Sequence, residues 1–189
     1  MDAPVNQRVQ IPGLNSFEVG LYMKRDDLLH PVISGNKFRK LKYNLQRAKE
    51  EKYTKLLTYG GAYSNHILAV ACAGYEHGFE TIGIIRGEEL QNQWEYNPTL
   101  KRAFEYGMQF EFVSREEYRE KNTKRFVEAL QSKYENPVIL PEGGTNVLAV
   151  KGCMEIITEE DASFDLICCA VGKGGTISGV VDDSEHHLT

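Results

Sequence analysis

Cysteine is scarce in this 189-residue chain. Cys72, Cys153, Cys168 and Cys169 are all there is, none in the paired spacing of a metal site. All four sit in apolar stretches, which reads as reduced, buried thiols in a cytoplasmic protein, with no disulfide framework and no metal centre. Long apolar runs are missing too: nothing approaches the length of a membrane span. The N-terminal residues, with Asp2, Asn6, Gln7 and Arg8, show no apolar signal-peptide core. Basic charge is in deficit, 22 Lys and Arg against 27 Asp and Glu for a net charge of −5. Nonspecific binding to nucleic acid or to a membrane surface therefore has no electrostatic support. Repeats, low-complexity tracts and linkers are absent as well. What remains is ordinary globular composition, 41% hydrophobic and 26% charged, which argues against disorder. A chain of this length forms one domain or two small ones and buries a core without covalent staples.

The positive signal is an alternation of short β-rich runs with helical periodicity. Leu21–Lys24 reads as a strand. Phe38, Leu41, Leu45 and Ala48 recur at helical intervals among Arg39, Lys40, Lys42 and Arg47, the pattern of an amphipathic helix. Strands follow at Lys55–Tyr59, Thr81–Ile85, Phe110–Val113, Val138–Leu140 and Leu166–Val171. Helices fall around Ile67–Tyr75 (ended by Gly78), Pro98–Tyr106, Glu116–Lys133 and Val147–Thr158. Tyr75, Phe104 and Phe126 take core-facing spacings, and Cys168-Cys169 falls mid-strand in the core. His186 and His187, among Asp182, Asp183 and Glu185, read as a solvated tail, with metal binding the competing reading. Strand–helix alternation at this spacing implies an α/β architecture with a largely parallel sheet. The chain stops soon after the Gly172–Gly175 turn, so the sheet reads as unfinished and the chain as C-terminally truncated.

In open α/β sheets ligands collect at the turns beyond the carboxyl ends of strands. Four such turns are rich in polar residues or glycine: Ser34–Lys37, Gly60–His66, Glu142–Asn146 and Gly172–Thr176. The last has backbone N–H groups suited to a phosphate monoester at a helix start. It is no Walker loop, and Ile177 stands where a dinucleotide fingerprint needs its third glycine. A plain tight turn is the competing reading. Lys37 falls in a first helical turn if Ser34 or Asn36 is the cap. There the helix dipole and the like charges of Arg39, Lys40 and Lys42 lower an amine's proton affinity, as a covalently acting lysine requires. Against that stands a solvated basic helix face. Ser64-Asn65-His66 opens another helix, either as a routine cap or as a carboxylate cradle of hydroxyl, amide and imidazole donors. A serine hydrolase acting through Ser64 would need a nucleophile elbow that the sequence does not contain.

Taken in order, five motifs resemble one family. They are Lys24-Arg25-Asp26-Asp27-Leu28, Ser34-Gly35-Asn36-Lys37-Phe38-Arg39-Lys40-Leu41, Gly60-Gly61-Ala62-Tyr63-Ser64-Asn65-His66, Pro141-Glu142-Gly143-Gly144-Thr145-Asn146 and Gly172-Lys173-Gly174-Gly175-Thr176. From about Phe17 to Val180 the chain resembles the 1-aminocyclopropane-1-carboxylate deaminase/D-cysteine desulfhydrase family of pyridoxal-phosphate enzymes. The resemblance implies the tryptophan-synthase-β-like fold (fold type II), with the large domain incomplete. Residues 41–146 would form a small inserted α/β domain, and residues 1–40 and 147–189 parts of the large cofactor-binding domain.

By the same resemblance, Lys37 is the lysine that bonds covalently to pyridoxal 5'-phosphate, and Asn65 lies beside the cofactor's 3'-oxygen. Ser64, Asn65 and His66 receive the substrate carboxylate, while Gly172, Gly174, Gly175 and Thr176 bind the phosphate. Asn36 joins the cofactor-binding residues, and Lys37 and Ser64 are the catalytic candidates. The implied reaction converts a small amino acid, 1-aminocyclopropane-1-carboxylate or D-cysteine, to a 2-oxo acid and ammonia. Histidine in the third place of the Ser-Asn-His triplet resembles the desulfhydrase branch, glutamine being usual in the deaminases. A homodimer is implied as well. Family members are longer, and their C-terminal half supplies the partner of the pyridine nitrogen and a tyrosine near the substrate. The alternative is therefore a noncatalytic fragment retaining part of the cofactor site.

Overall fold

The computed structural model describes residues 4–187. Its centre is a parallel sheet of four strands, β3 (Lys55–Gly60), β4 (Glu80–Arg86), β5 (Gln109–Val113) and β6 (Val138–Leu140), in the order β5-β4-β3-β6. Successive side chains on a strand point to opposite faces, and the core divides accordingly. Leu56, Ile85 and Leu140 face helices α1 (Asn36–Glu50), α2 (Asn65–His77) and α3 (Pro98–Glu105), meeting Leu41, Leu45, Ile67, Val70 and Leu100. Leu57, Tyr59, Ile82 and Ile84 face α4 (Arg115–Arg119) and α5 (Lys124–Lys133) through Tyr118 and Leu130. Both faces are covered, as a parallel sheet requires. The expected strands appear at these places, Val138–Leu140 with the same bounds.

Connectivity fixes where a ligand can sit. The chain leaves β3 for β4 and then β5 on one side, and returns to lay β6 against the other side of β3. Strand order therefore reverses between β3 and β6, opening a crevice at their carboxyl ends. The segments leaving those ends are Gly61–Ser64 and Pro141–Asn146.

Two additions flank the sheet. A hairpin of β1 (Asn6–Val9) and β2 (Leu21–Lys24) pairs antiparallel. Asp161 ties it down, accepting from Lys24 Nζ at 2.8 Å and Asn6 Nδ2 at 2.8 Å. Helix α6 (Val147–Met154) packs against both α1 and α7 (Gly175–His187). Small residues permit the close approach: a Cβ on Gly152 would stand 2.0 Å from the Arg39 carbonyl oxygen, and one on Gly179 2.6 Å from Cys153 Cβ. Among the described residues no helix is long and apolar enough to cross a membrane.

The structure corrects several expectations. The charged run 116–133 is not one helix, because Thr123 accepts the Phe126 N–H at 3.3 Å and starts α5 afresh after a 3-10 turn at Glu120–Asn122. Tyr75 and Phe104 are exposed, each on the outer side of its helix, with their rings tilted against those of Tyr106 and Trp94 respectively. Phe126 does pack against the second core.

The largest correction concerns Leu166–Val171, which forms no strand. Leu166 is 79% and Val171 63% exposed, and Cys168 is exposed where a core position was expected. A strand exists only with a hydrogen-bonding neighbour, and none of the described strands runs beside this segment. Cys72 and Cys153 are buried, and all four thiols are free. The side chains of His186 and His187 lie outside the described residues.

Candidate functional site

The site grows from the start of α1. Gly35, at φ +59°, precedes the helix, and no side chain caps it. Neither Ser34 nor Asn36 takes that role. The Asn36 amide instead donates to Thr176 Oγ1 at 2.8 Å, fastening the start of α1 to the start of α7. Lys37 is consequently in the first turn and beside the glycine turn that precedes α7. Its amine is half-buried and has no hydrogen-bond or ion-pair partner among the described residues. Burial first, and the charge of Lys40 second, lower its proton affinity. Arg39 and Lys42, expected to contribute, are committed elsewhere: Arg39 pairs with Asp26 at 3.2 Å and Lys42 with Glu155 at 2.6 Å.

Lys37 borders two cavities. The larger, about 480 Å³, is also lined by Ser64, Asn65, His66 and Glu142. The smaller, about 230 Å³, is lined by Lys40 and the turn Gly172–Thr176. Asn36, Lys37, Gly143 and Lys173 line both. Residues from all four candidate turns thus meet at one place.

At the wall formed by α2, the Ser64 hydroxyl accepts the Ile67 N–H at 3.4 Å and caps the helix. It makes no bond to His66, so these two side chains do not form a serine–histidine hydrolase pair. His66 is 2% exposed, and neither ring nitrogen has a hydrogen-bond partner among the described residues. Its ring lies against Gly144, where a Cβ would come within 2.8 Å of Cε1. Burial, then the charges of Lys37 and Lys40, push its pKa down to about 3. The imidazole is neutral at pH 7, and its orphaned nitrogens suit a polar ligand in the cavity.

The opposite wall is the glycine turn. Gly174 takes φ +83°, and Gly175 sits so close to Thr145 that a Cβ would fall 2.5 Å from Cγ2. Lys40 is 4% exposed and donates to Thr145 Oγ1 at 3.1 Å, placing a cation against the turn. From the sequence Lys40 enters only as a like charge near Lys37, an effect the structure retains; its place against the glycine turn was not foreseen, although its spacing of three from Lys37 puts both on one helix face. The pairing of Lys173 with Glu142, at 2.5 Å across the turns, was likewise not foreseen. No local signal marks that contact.

A third cluster lies apart. His30, Cys72 and Glu76 present their ligand atoms within 4.8 Å of one another. His30 Nδ1 accepts the N–H groups of Val32 and Ile33, at 3.1 and 2.9 Å, so Nε2 carries the proton and donates to Glu76 at 2.9 Å. No imidazole lone pair is left for an ion, and burial pushes the Cys72 thiol up to about 11.

Pyridoxal phosphate needs an amine for its aldehyde, donors for a phosphate and polar groups along its ring. An unpartnered amine, a glycine turn with a buried lysine and an orphaned imidazole fit that demand. A family model described as pyridoxal-phosphate dependent enzyme matches residues 4–187. A Thermotoga maritima protein, provisionally named as a 1-aminocyclopropane-1-carboxylate deaminase, is 37% identical over 184 residues, covering 91% of this chain and 57% of its own length. The Arabidopsis thaliana mitochondrial bifunctional D-cysteine desulfhydrase/1-aminocyclopropane-1-carboxylate deaminase is 32% identical, over 92% of this chain and 47% of its own. A crystal structure of an ACC deaminase homologue superposes with TM-score 0.80 at 24% identity, covering all of this chain and 58% of that one. That likeness shows the fold. The chain spans about half the length of the curated relatives it matches.

Proposed function

Since the chain belongs to the pyridoxal-phosphate-dependent enzyme family, we propose that its paired cavities serve a deaminase or lyase acting on a small amino acid. The substrate class is 1-aminocyclopropane-1-carboxylate or D-cysteine, and the products are a 2-oxo acid and ammonia. The observation that carries this reading is the Lys37 amine, without a hydrogen-bond or ion-pair partner among the described residues and set between a cavity bordered by the glycine turn and one bordered by His66.

Lys37 Nζ would hold the cofactor covalently. Backbone N–H groups at Gly172, Gly174 and Gly175, the Thr176 hydroxyl and the Lys40 ammonium would hold its phosphate, with Asn36 and Asn65 along the ring. When bound, the cofactor supplies an electron sink for negative charge at the substrate Cα. The start of α2, with Ser64, Asn65 and neutral His66, would take the substrate carboxylate. Lys37 Nζ would also be placed to take the proton from the substrate Cα. A base must be unprotonated to do so, and burial favours that form. In this reading residues 41–146 form the small domain, which contains the whole parallel sheet, and residues 1–40 and 147–189 belong to the large one. A cytoplasmic homodimer completes the proposal.

The test is the visible absorption of the chain mixed with pyridoxal phosphate. The wild-type chain is expected to develop the long-wavelength band of a lysine-bound cofactor, and Lys37→Ala to show none. A band that survives in the variant would refute the role of Lys37. The second reading, a noncatalytic fragment, is favoured by the exposed run Leu166–Val171 and the half-length match. It predicts no band in the wild-type chain either.

A further inference from the structure

The glycine turn contains a cation that no role above uses. Lys173 stands between Gly172 and Gly174, so its backbone belongs to the proposed phosphate cradle, and its side chain lines both cavities. Its ammonium nevertheless points across the gap to Glu142, 2.5 Å away, with its stem running past Gly143, where a Cβ would meet Lys173 Cδ at 3.4 Å. A second cation is already beside that carboxylate: Lys121 Nζ lies 3.7 Å from Glu142 Oε2. The Lys173 end of the pair is 53% exposed, so its attachment is weak and solvent-screened.

A phosphate group in the smaller cavity would be a stronger acceptor than a carboxylate, carrying more charge and more oxygens. A lysine stem has four rotatable carbons, so the ammonium can turn while the backbone stays fixed. Glu142 would not be stranded, because Lys121 remains in place to pair with it. Resting on the cofactor-site reading above, we infer that Lys173 is a reserve phosphate ligand held off the cradle by Glu142. An arriving phosphate draws the ammonium inward, and Lys121 takes over the carboxylate. Glu142 is then a competitor for the same cation, a positioning residue that tunes affinity for the phosphorylated ligand and touches neither ring nor substrate in this role.

The two side chains must therefore act in opposite directions, which a merely structural ion pair would not do. Dissociation constants would be measured by fluorescence titration with two probes, pyridoxal phosphate and pyridoxal, the latter having the ring and aldehyde without the phosphate. Lys173→Met is expected to weaken pyridoxal phosphate roughly ten-fold and leave pyridoxal unchanged. Glu142→Gln is expected to tighten pyridoxal phosphate roughly three-fold, again with pyridoxal unchanged, and to have no effect in the Lys173→Met background. Circular dichroism melts check that both variants fold. If the wild-type chain prefers the phosphorylated probe and both variants match it, the inference falls while the cofactor site stands. A Glu142→Gln chain that binds more weakly also overturns it. A wild-type chain indifferent to the phosphate removes the cradle and the inference together.

Discussion

Proton affinity at His66 is governed by what surrounds one ring. In an unfolded chain its pKa is near the usual 6.5, but in the fold it is about 3, owing to burial and then to Lys37 and Lys40. The folded-state value is depressed for a base, so between those two pH values the unfolded chain binds a proton that the folded chain does not. Stability from this site is complete above about pH 6.5 and is lost as pH falls, by up to about 1.4 kcal/mol per pH unit. Denaturant melts between pH 6.5 and 5 should show that slope in the wild-type chain, reduced by about one proton in His66→Gln. His77, also lowered by burial and by Lys49, stays in both proteins and cancels in the comparison. Parallel slopes would show that the ring is protonated in the fold. At this scale the sequence was informative where a motif is local: Lys37, Ser64, Asn65 and His66 line one cavity, and the turn Gly172–Thr176 borders its neighbour. It was silent on the Lys173–Glu142 pair, whose partners are 31 residues apart.

Elements were legible where their start and stop signals are carried within a few residues. Ser64 and Gly78 bound α2, and Asn97 with Pro98 opens α3. Where the outcome depends on a distant neighbour, the pattern misled. Leu166–Val171 has the composition of a buried parallel strand, yet it forms no pairing and leaves Cys168 exposed. Tyr75 and Phe104 continue an apolar helical stripe past the edge of the core, since periodicity gives a direction and not the width of what is buried. Thiol labelling measures the exposed segment directly. In the native chain Cys168 should react with a maleimide at the rate of a free model thiol, and Cys72 and Cys153 should react only after unfolding. Protection of Cys168 in the native chain would mean that the segment is covered.

At the scale of the molecule, the reversal of strand order between β3 and β6 brings Ser64–His66 to Glu142 and Gly143. The close packing of α6 on α1 and α7 then sets the glycine turn beside Lys37. Alternating strands and helices made the α/β class readable, but strand order is a long-range property and emerged only in the structure. Family membership agrees with this architecture, and the half-length match agrees with an apolar segment left without a sheet.

The account depends on one amine being singled out from three lysines at the same cavities, Lys37, Lys40 and Lys173. Saturating the chain with pyridoxal phosphate, reducing with borohydride and mapping the peptides by mass decides among them. The account predicts a single stoichiometric adduct on Lys37. An adduct spread over surface lysines, or one confined to Lys40 or Lys173, would contradict it.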